Sequence, residues 1–261
     1  MADFEPANSK GPGLSHRMSA RHCVALLTLA AGPAAYAAHP VQTEDTGTQG
    51  VGRVELENGL SRDRDGSGST FGYRPQLSVG ILPNLDLLLQ PSWLKQRPAE
   101  GDATQGWGDT NLDVKWRFAD GTPLSYALRA GIAVPGGRLG LRQGTLSAHA
   151  LLAASVDAAP FALHGNLGLV RNPAEPGQRR NLGHVSMAAM WAANDSLTLA
   201  LEAAADSNGD RTLSSWPAAG LVGAIWTLRP GLDVDVGYQT LLRTASPARS
   251  WLLGLTYRFT P

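Results

Sequence analysis

Trp251-Leu252-Leu253-Gly254-Leu255-Thr256-Tyr257-Arg258-Phe259 reads with a period of two. Trp251, Leu253, Leu255, Tyr257 and Phe259 share one face; Ser250, Leu252, Gly254, Thr256 and Arg258 share the other. A helix would scatter those aromatics around its axis, whereas a strand sets them in one row. One face is apolar with an aromatic toward each end, and the other carries an arginine. That pattern suits a strand with lipid on one side and a polar interior on the other.

The alternation repeats from Val51 onward. Val54, Leu56 and Leu60 alternate with Arg53, Glu55, Glu57 and Ser61. Phe71, Tyr73, Leu77, Val79 and Ile81 alternate with Arg74, Gln76 and Ser78. Leu85, Leu87, Leu89 and Trp93 alternate with Asp86, Gln90 and Ser92. Leu112, Val114, Trp116 and Phe118 alternate with Asn111, Asp113, Lys115 and Arg117, and Leu232, Val234, Val236 and Tyr238 with Asp233, Asp235 and Gln239. Further strands are predicted over 124–134, 146–156, 161–169, 184–191 and 197–202. The facing of 215–228 stays open: Trp216 and Trp226 fall on one parity, Leu221 and Ile225 on the other. The sum is about twelve strands, each near the length that crosses a bilayer at a tilt. The fold class expected is all-β, a transmembrane antiparallel up-and-down β-barrel.

Connections and aromatics support this. Short links (82–84, 119–123, 157–160, 192–195, 229–231) alternate with longer ones (62–68, 95–106, 135–144, 172–180, 207–213, 240–249). Outer-membrane barrels have short periplasmic turns and longer extracellular loops. Phe71, Tyr73, Trp93, Tyr238 and Trp251 then fall near the extracellular ends. Trp116, Phe118, Tyr126, Phe161, Trp191, Tyr257 and Phe259 fall near the periplasmic ends, as two interfacial girdles would require.

Composition fits without deciding. Hydrophobic residues are 43% of 261, and the formal net charge is +0 from 22 basic and 22 acidic residues. Mean hydropathy is -0.13, ordinary for an alternating barrel. No basic stripe marks a nucleic-acid partner. The single cysteine, Cys23, excludes an intrachain disulfide; it precedes the apolar run rather than following it, which argues against a lipid-modified residue.

The N-terminus reads as a secretory signal: Arg17, Arg21 and His22, then an apolar core from Cys23 to Ala31, then Ala35-Tyr36-Ala37 as a cleavage site. Met18 is the expected start. The expected organisation is an extension and signal peptide over 1–37, a periplasmic N-terminal segment over 38–50 and the barrel over 51–261. The expected location is the Gram-negative outer membrane, with membrane lipids and the barrel-assembly machinery as partners.

Thr43-Glu44-Asp45-Thr46-Gly47-Thr48-Gln49-Gly50 followed by Arg53-Val54-Glu55-Leu56-Glu57 resembles the start of the outer-membrane family named for the MetA pathway of phenol degradation. So does Gly106-Trp107-Gly108-Asp109-Thr110-Asn111-Leu112-Asp113-Val114-Lys115-Trp116-Arg117, and so do Leu232-Asp233-Val234-Asp235-Val236-Gly237-Tyr238 and the terminal strand. The chain ends Phe259-Thr260-Pro261, two residues past the terminal aromatic. The resemblance implies transport of a small-molecule solute, without naming it.

Inward charges toward the periplasmic half are the candidates for a lumenal constriction: Arg53, Glu55, Glu57, Asp86, Lys115, Arg117, Asp233, Asp235 and Arg258. Charges inside a barrel must be paired or solvated, so they serve as a salt-bridged brace, a solute filter, or both. Nearer the outside, Leu88, Leu94, Ala127, Ala133, Leu151 and Val170 suggest a partly apolar vestibule that admits hydrophobic or aromatic compounds by passive diffusion. No catalytic residues, metal ligands or cofactor are assigned. His149 and His164 are expected about four residues out of register, about 13 Å apart, too far to share a metal ion. Asp206-Ser207-Asn208-Gly209-Asp210 partly resembles a calcium loop but lacks the downstream Glu. The alternatives to a channel are a non-transporting structural or adhesion barrel and, behind it, an outer-membrane hydrolase.

Overall fold

The computed structural model describes residues 39–136, 146–174, 176–242 and 248–259. The expected signal peptide therefore lies outside the described residues.

Fourteen strand segments form one antiparallel sheet. β1 (Val54–Asp65) pairs with both β2 (Gly68–Leu82) and β14 (Arg249–Phe259), which closes the sheet into a barrel. Two of its walls are built from two pieces each. β3 (Leu85–Gln90) and β4 (Trp93–Pro98) both lie against β2 and together make one wall strand; β5 (Thr104–Trp107) and β6 (Thr110–Asp120) make the next. The remaining walls are β7 (Leu124–Val134), β8 (Ser147–Ala158), β9 (Phe161–Arg171), β10 (Asn181–Asn194), β11 (Leu197–Asp206), β12 (Ala218–Arg229) and β13 (Leu232–Leu241). Twelve wall strands result. Closure gives each backbone ladder two neighbours, the condition for a sheet to sit in lipid.

The wall is interrupted where the two split strands meet. Pro91 has no N–H to give the ladder. Gly108 N–H donates instead to Ser92 O at 2.8 Å, and Ser92 Oγ–H donates to Asp109 O at 2.8 Å, stitching the break.

The radial order is inverted relative to a water-soluble barrel. Glu55, Asp86, Asp113, Lys115 and Thr256 point inward and are almost fully buried, while Leu167 (62% exposed), Met187 (63%) and Leu201 (60%) lie on the outer surface. Each large aliphatic side chain left in water forgoes about 1.5–3 kcal/mol of burial, so this outer band requires lipid. Both girdles form as read. Phe71–Trp93 and Tyr238–Trp251 pair toward the long-loop end; Trp116–Phe118, Phe161–Trp191 and Tyr257–Phe259 pair toward the short-turn end. Asn58, a polar side chain mid-way along the outward row of β1, accepts the Tyr73 hydroxyl at 2.9 Å.

The open facing of β12 resolves. Leu221 and Ile225 point inward, and Val222 and Trp226 point outward. Trp216 precedes the strand, so its parity carried no information. The short turns stand as expected; at the β12–β13 turn Gly231 takes φ +78, a conformation that suits glycine. One long loop does not form: β1 and β2 extend until only residues 66 and 67 link them.

Candidate functional site

Residues 39–50 were expected to lead in from the periplasm. They lie inside the barrel, against the inner wall of its short-turn half, and we call them the strap. An irregular segment buried from water must find partners for its N–H groups, and the wall side chains supply them. Gln42 N–H donates to Glu202 on β11 (2.7 Å), Glu44 N–H to Asn166 on β9 (2.7 Å) and Thr46 N–H to Ser155 on β8 (3.1 Å). Gln49 N–H donates to Asp86 on β3 (2.9 Å). The strap therefore crosses successive strands rather than running along one.

Side chains fix it at both ends. His39 is hydrogen-bonded to Asp235 on β13. Pro40 is almost fully buried over Gly223 and Gly237, which face each other across β12 and β13. A Cβ at Gly223 would lie 2.6 Å from Pro40 Cγ, and one at Gly237 2.8 Å from Pro40 Cβ, so neither position tolerates a side chain while Pro40 is in place. Val41 enters an apolar patch made by Ala188, Met190, Ala200, Leu221, Ile225 and Leu252. That patch explains why β12 turns two large aliphatics inward.

At the strap's centre lies an ionic cluster. Lys115 Nζ donates to Glu44 Oε1 (2.6 Å) and Asp45 Oδ1 (2.9 Å). Arg129 on β7 bridges Glu44 (2.7 Å) and Asp113 (2.6 Å) and donates to Gln76 at 3.0 Å. His149 on β8 reaches Asp113 at 2.6 Å. Burial alone would push the Glu44 carboxyl up; the adjacent Lys115 and Arg129 outweigh it and hold the group at about 2.

Beside it a second cluster braces the seam. Arg258 on β14 bonds Glu55 on β1 (2.8 Å) and Asp233 on β13 (2.7 Å), and Gln49 Nε2 donates to Glu55 at 2.8 Å.

The nine sequence candidates thus occupy different places. Glu55, Asp86, Lys115, Asp233, Asp235 and Arg258 line the interior and hold the strap or the seam. Glu57 is inward and accepts from Gln76 at 3.3 Å. Arg117 pairs with Asp120 at 3.4 Å near the short turns. Arg53 is exposed just before β1. Arg129, Asp113 and Glu202 do as much as any of these and were absent from the set. Arg129 lies directly opposite Lys115, and Asp113 and Glu202 are inward by the same parity, so the alternation of β6, β7 and β11 carries the signal that finds all three.

Above the strap, toward the long loops, lie two adjoining cavities. One of about 450 Å³ is lined by Gln42, Glu57, Arg74, Gln76 and Leu252 among others; one of about 730 Å³ is lined by Ser92, Leu94, Asn111, His149, Leu151 and Val170 among others. Both share Gln42, Glu44, Arg74, Gln90 and Arg129, so the strap forms part of their floor.

His149 lies opposite Val170, six residues from His164, so the two histidines are even further out of register than expected. His164 instead meets Ser155 at 2.8 Å. Among the described residues no cluster of metal-binding side chains forms.

Comparison with known proteins agrees with this architecture. No curated protein matches the sequence. Among solved structures, an outer membrane channel from Pseudomonas putida F1 superposes with a TM-score of 0.69 at 12% identity, covering 84% of this chain and 100% of that one. The NanC porin (TM-score 0.57, 10% identity, 77% and 98% covered) and the KdgM porin in complex with disordered oligogalacturonate (0.57, 9%, 78% and 99%) share the fold as well. At such identities the likeness is one of fold. The family model for the MetA-pathway of phenol degradation matches residues 37–259, nearly the whole barrel and strap, and the chain belongs to that family.

Proposed function

We propose that this outer-membrane barrel is a passive channel for small hydrophobic or aromatic solutes, and that the strap sets its conductance. The observation that carries the reading is the position of residues 39–50. They occupy the short-turn half of the lumen beneath cavities of about 730 and 450 Å³, and polar contacts and one small apolar patch hold them there. A solute enters from the long-loop side, where Leu94, Leu151 and Val170 give apolar surface and Arg74, Asn111 and His149 give polar anchors. Such mixed lining suits a small ring bearing a polar substituent. Passage onward requires the strap to shift. Asp86, Lys115, Asp233, Asp235, Arg258 and Glu55 then stand exposed as a charged constriction, with Glu57 on its cavity side and Arg53 and Arg117 toward its short-turn mouth.

Ser155 and His164 are not read as catalytic. Ser155 is almost fully buried under the strap and accepts the Thr46 N–H, and His164 contacts no described carboxylate that would orient it, so the pair lacks the third group of a nucleophilic triad. Export by a signal peptide over 1–37, followed by insertion through the barrel-assembly machinery, completes the reading; N-terminal sequencing of the mature protein should then begin at Ala38.

Liposome swelling and planar-bilayer conductance test the channel. The intact chain is expected to conduct weakly, and a chain lacking residues 39–50 strongly, with phenol-sized solutes passing faster than sugars. A barrel that stays impermeable without its strap would point to the structural, non-transporting alternative.

A further inference from the structure

The outer surface carries a feature unrelated to the lumen. At the long-loop end the apolar band stops along one line. Leu253, Leu60, Tyr73, Trp93 and Trp107 are direct cross-strand neighbours on β14, β1, β2, β4 and β5 and form its last full row. The next row up runs Trp251, Arg62, Phe71, Lys95 and Gln105, and the one above it Arg249, Arg64, Ser69 and Arg97. Residues paired directly across antiparallel strands share a face. Trp251 and Phe71 are outward and exposed, so the five cations point away from the lumen too.

These cations lack what the interior ones have. None of the five forms an ion pair with a described residue. The nearest acids on the same strands are otherwise engaged: Asp63 accepts the Ser61 hydroxyl on the inner face, and Asp65 caps the β1–β2 turn by accepting the Ser67 and Gly68 N–H groups. Glu100 and Asp102 lie in the loop beyond β4. Arg64 and Arg249 are placed directly opposite each other, an arrangement that destabilises a sheet when nothing lies between the charges. Neighbouring strands are about 4.8 Å apart, so Arg249, Arg64 and Arg97 span roughly three strand spacings. Arg171 stands at the same end of β9, outside this face.

We infer that this face of the barrel, from β14 to β4, binds a phosphorylated glycolipid of the outer leaflet, a lipid A-type headgroup carrying two phosphates. Several physical features match that occupant. The cations begin where the hydrocarbon-facing rows end, at headgroup depth. Arginine presents a planar fork to phosphate oxygens, and each phosphate can be shared between strands. Trp251 and Phe71, interleaved with the cations, give the flat surfaces on which sugar rings and upper acyl chains rest. A phosphate between Arg64 and Arg249 turns a repulsive pair into a bridged one.

Native mass spectrometry of the full barrel in detergent tests this with three probes: hexa-acylated lipid A bisphosphate, the same lipid dephosphorylated, and phosphatidylglycerol. The bisphosphate is expected to be retained about tenfold more tightly than either other lipid. The combined variant Arg64→Ser, Arg97→Ser, Arg249→Ser is expected to lose that preference, while Arg171→Ser keeps it. Heat-modifiable gel mobility reports whether each variant is folded. If the triple variant does not fold, the three-lipid comparison on the unmodified chain decides alone. Equal retention of the dephosphorylated lipid, or of phosphatidylglycerol, overturns the inference, as does a folded triple variant with the original preference.

Discussion

Arg129 on the wall and Glu44 on the strap meet at 2.7 Å, and the same guanidinium also bonds Asp113, which His149 holds in turn. One side chain thus ties the strap to β6 and β7 together. Replacing Glu44 with Gln should weaken the strap's hold by about 2 kcal/mol, because Lys115 and Arg129 lose their shared anion in a partly desolvated site. The barrel itself should remain. Single-channel recording is expected to show more frequent and larger openings in Glu44→Gln, with heat-modifiable gel mobility unchanged.

Acid should act through the same group. The Glu44 carboxyl sits at about 2 in the folded barrel against an ordinary 4.5. A depressed carboxyl contributes stability above its unfolded value and loses it as pH falls toward the folded one. The Glu44 contribution should therefore be constant above about pH 4.5 and should raise conductance as pH falls from there toward 2. Glu44→Gln should diminish that rise over the same range. A wild-type trace as flat as the variant's would remove Glu44 from the mechanism.

Glycine positions offer a steric test. Gly237→Val places a branched side chain where Pro40 lies, since even a Cβ would come within 2.8 Å of it. Overpacking of this kind costs about 1–3 kcal/mol, and the loose strap is the element that can yield. With Val41→Cys as reporter, maleimide labelling should be slow in an otherwise unmodified barrel and at least several-fold faster with Gly237→Val added.

The outer wall can be probed independently. Leu167 lies mid-strand on β9, 62% exposed and facing lipid. Leu167→Arg should destabilise the barrel by about 2–4 kcal/mol, measured by urea unfolding from phospholipid vesicles. The inward neighbour Asn166 has its amide on the strap, so Asn166→Ala should change conductance more than unfolding.

The strands were legible because their code is local. Each residue of β14 declares its face by parity, and from Trp251 to Phe259 every outward side chain is apolar or aromatic, as lipid requires. β12 was ambiguous for a reason the fold supplies: Leu221 and Ile225 answer to Val41, a residue 180 positions or more away in the chain. The strap was invisible to the same method. Thr43 through Gly50 has no period, and its partners Glu202, Asn166, Ser155 and Asp86 come from four strands scattered through the chain. A trace did exist. Gly223 and Gly237 interrupt inward rows at matching heights, and glycine there asks what lies against it. Charged candidates near the short turns were found because charge is rare in a barrel. Arg129, directly opposite Lys115, and Glu202 are equally inward by parity, but their partners Glu44 and the Gln42 N–H lie on the strap, which has no periodic code.

The strap also imposes an order of events. Its anchors run from Asp86 near the start of the barrel to Asp235 near its end, and Pro40 rests on a floor shared by β12 and β13. The full set of anchors exists only once strands from both ends of the chain stand in one wall. The segment that leaves the ribosome ahead of the whole barrel therefore completes its seating only with the last strands, and until then its grip on the lumen is partial.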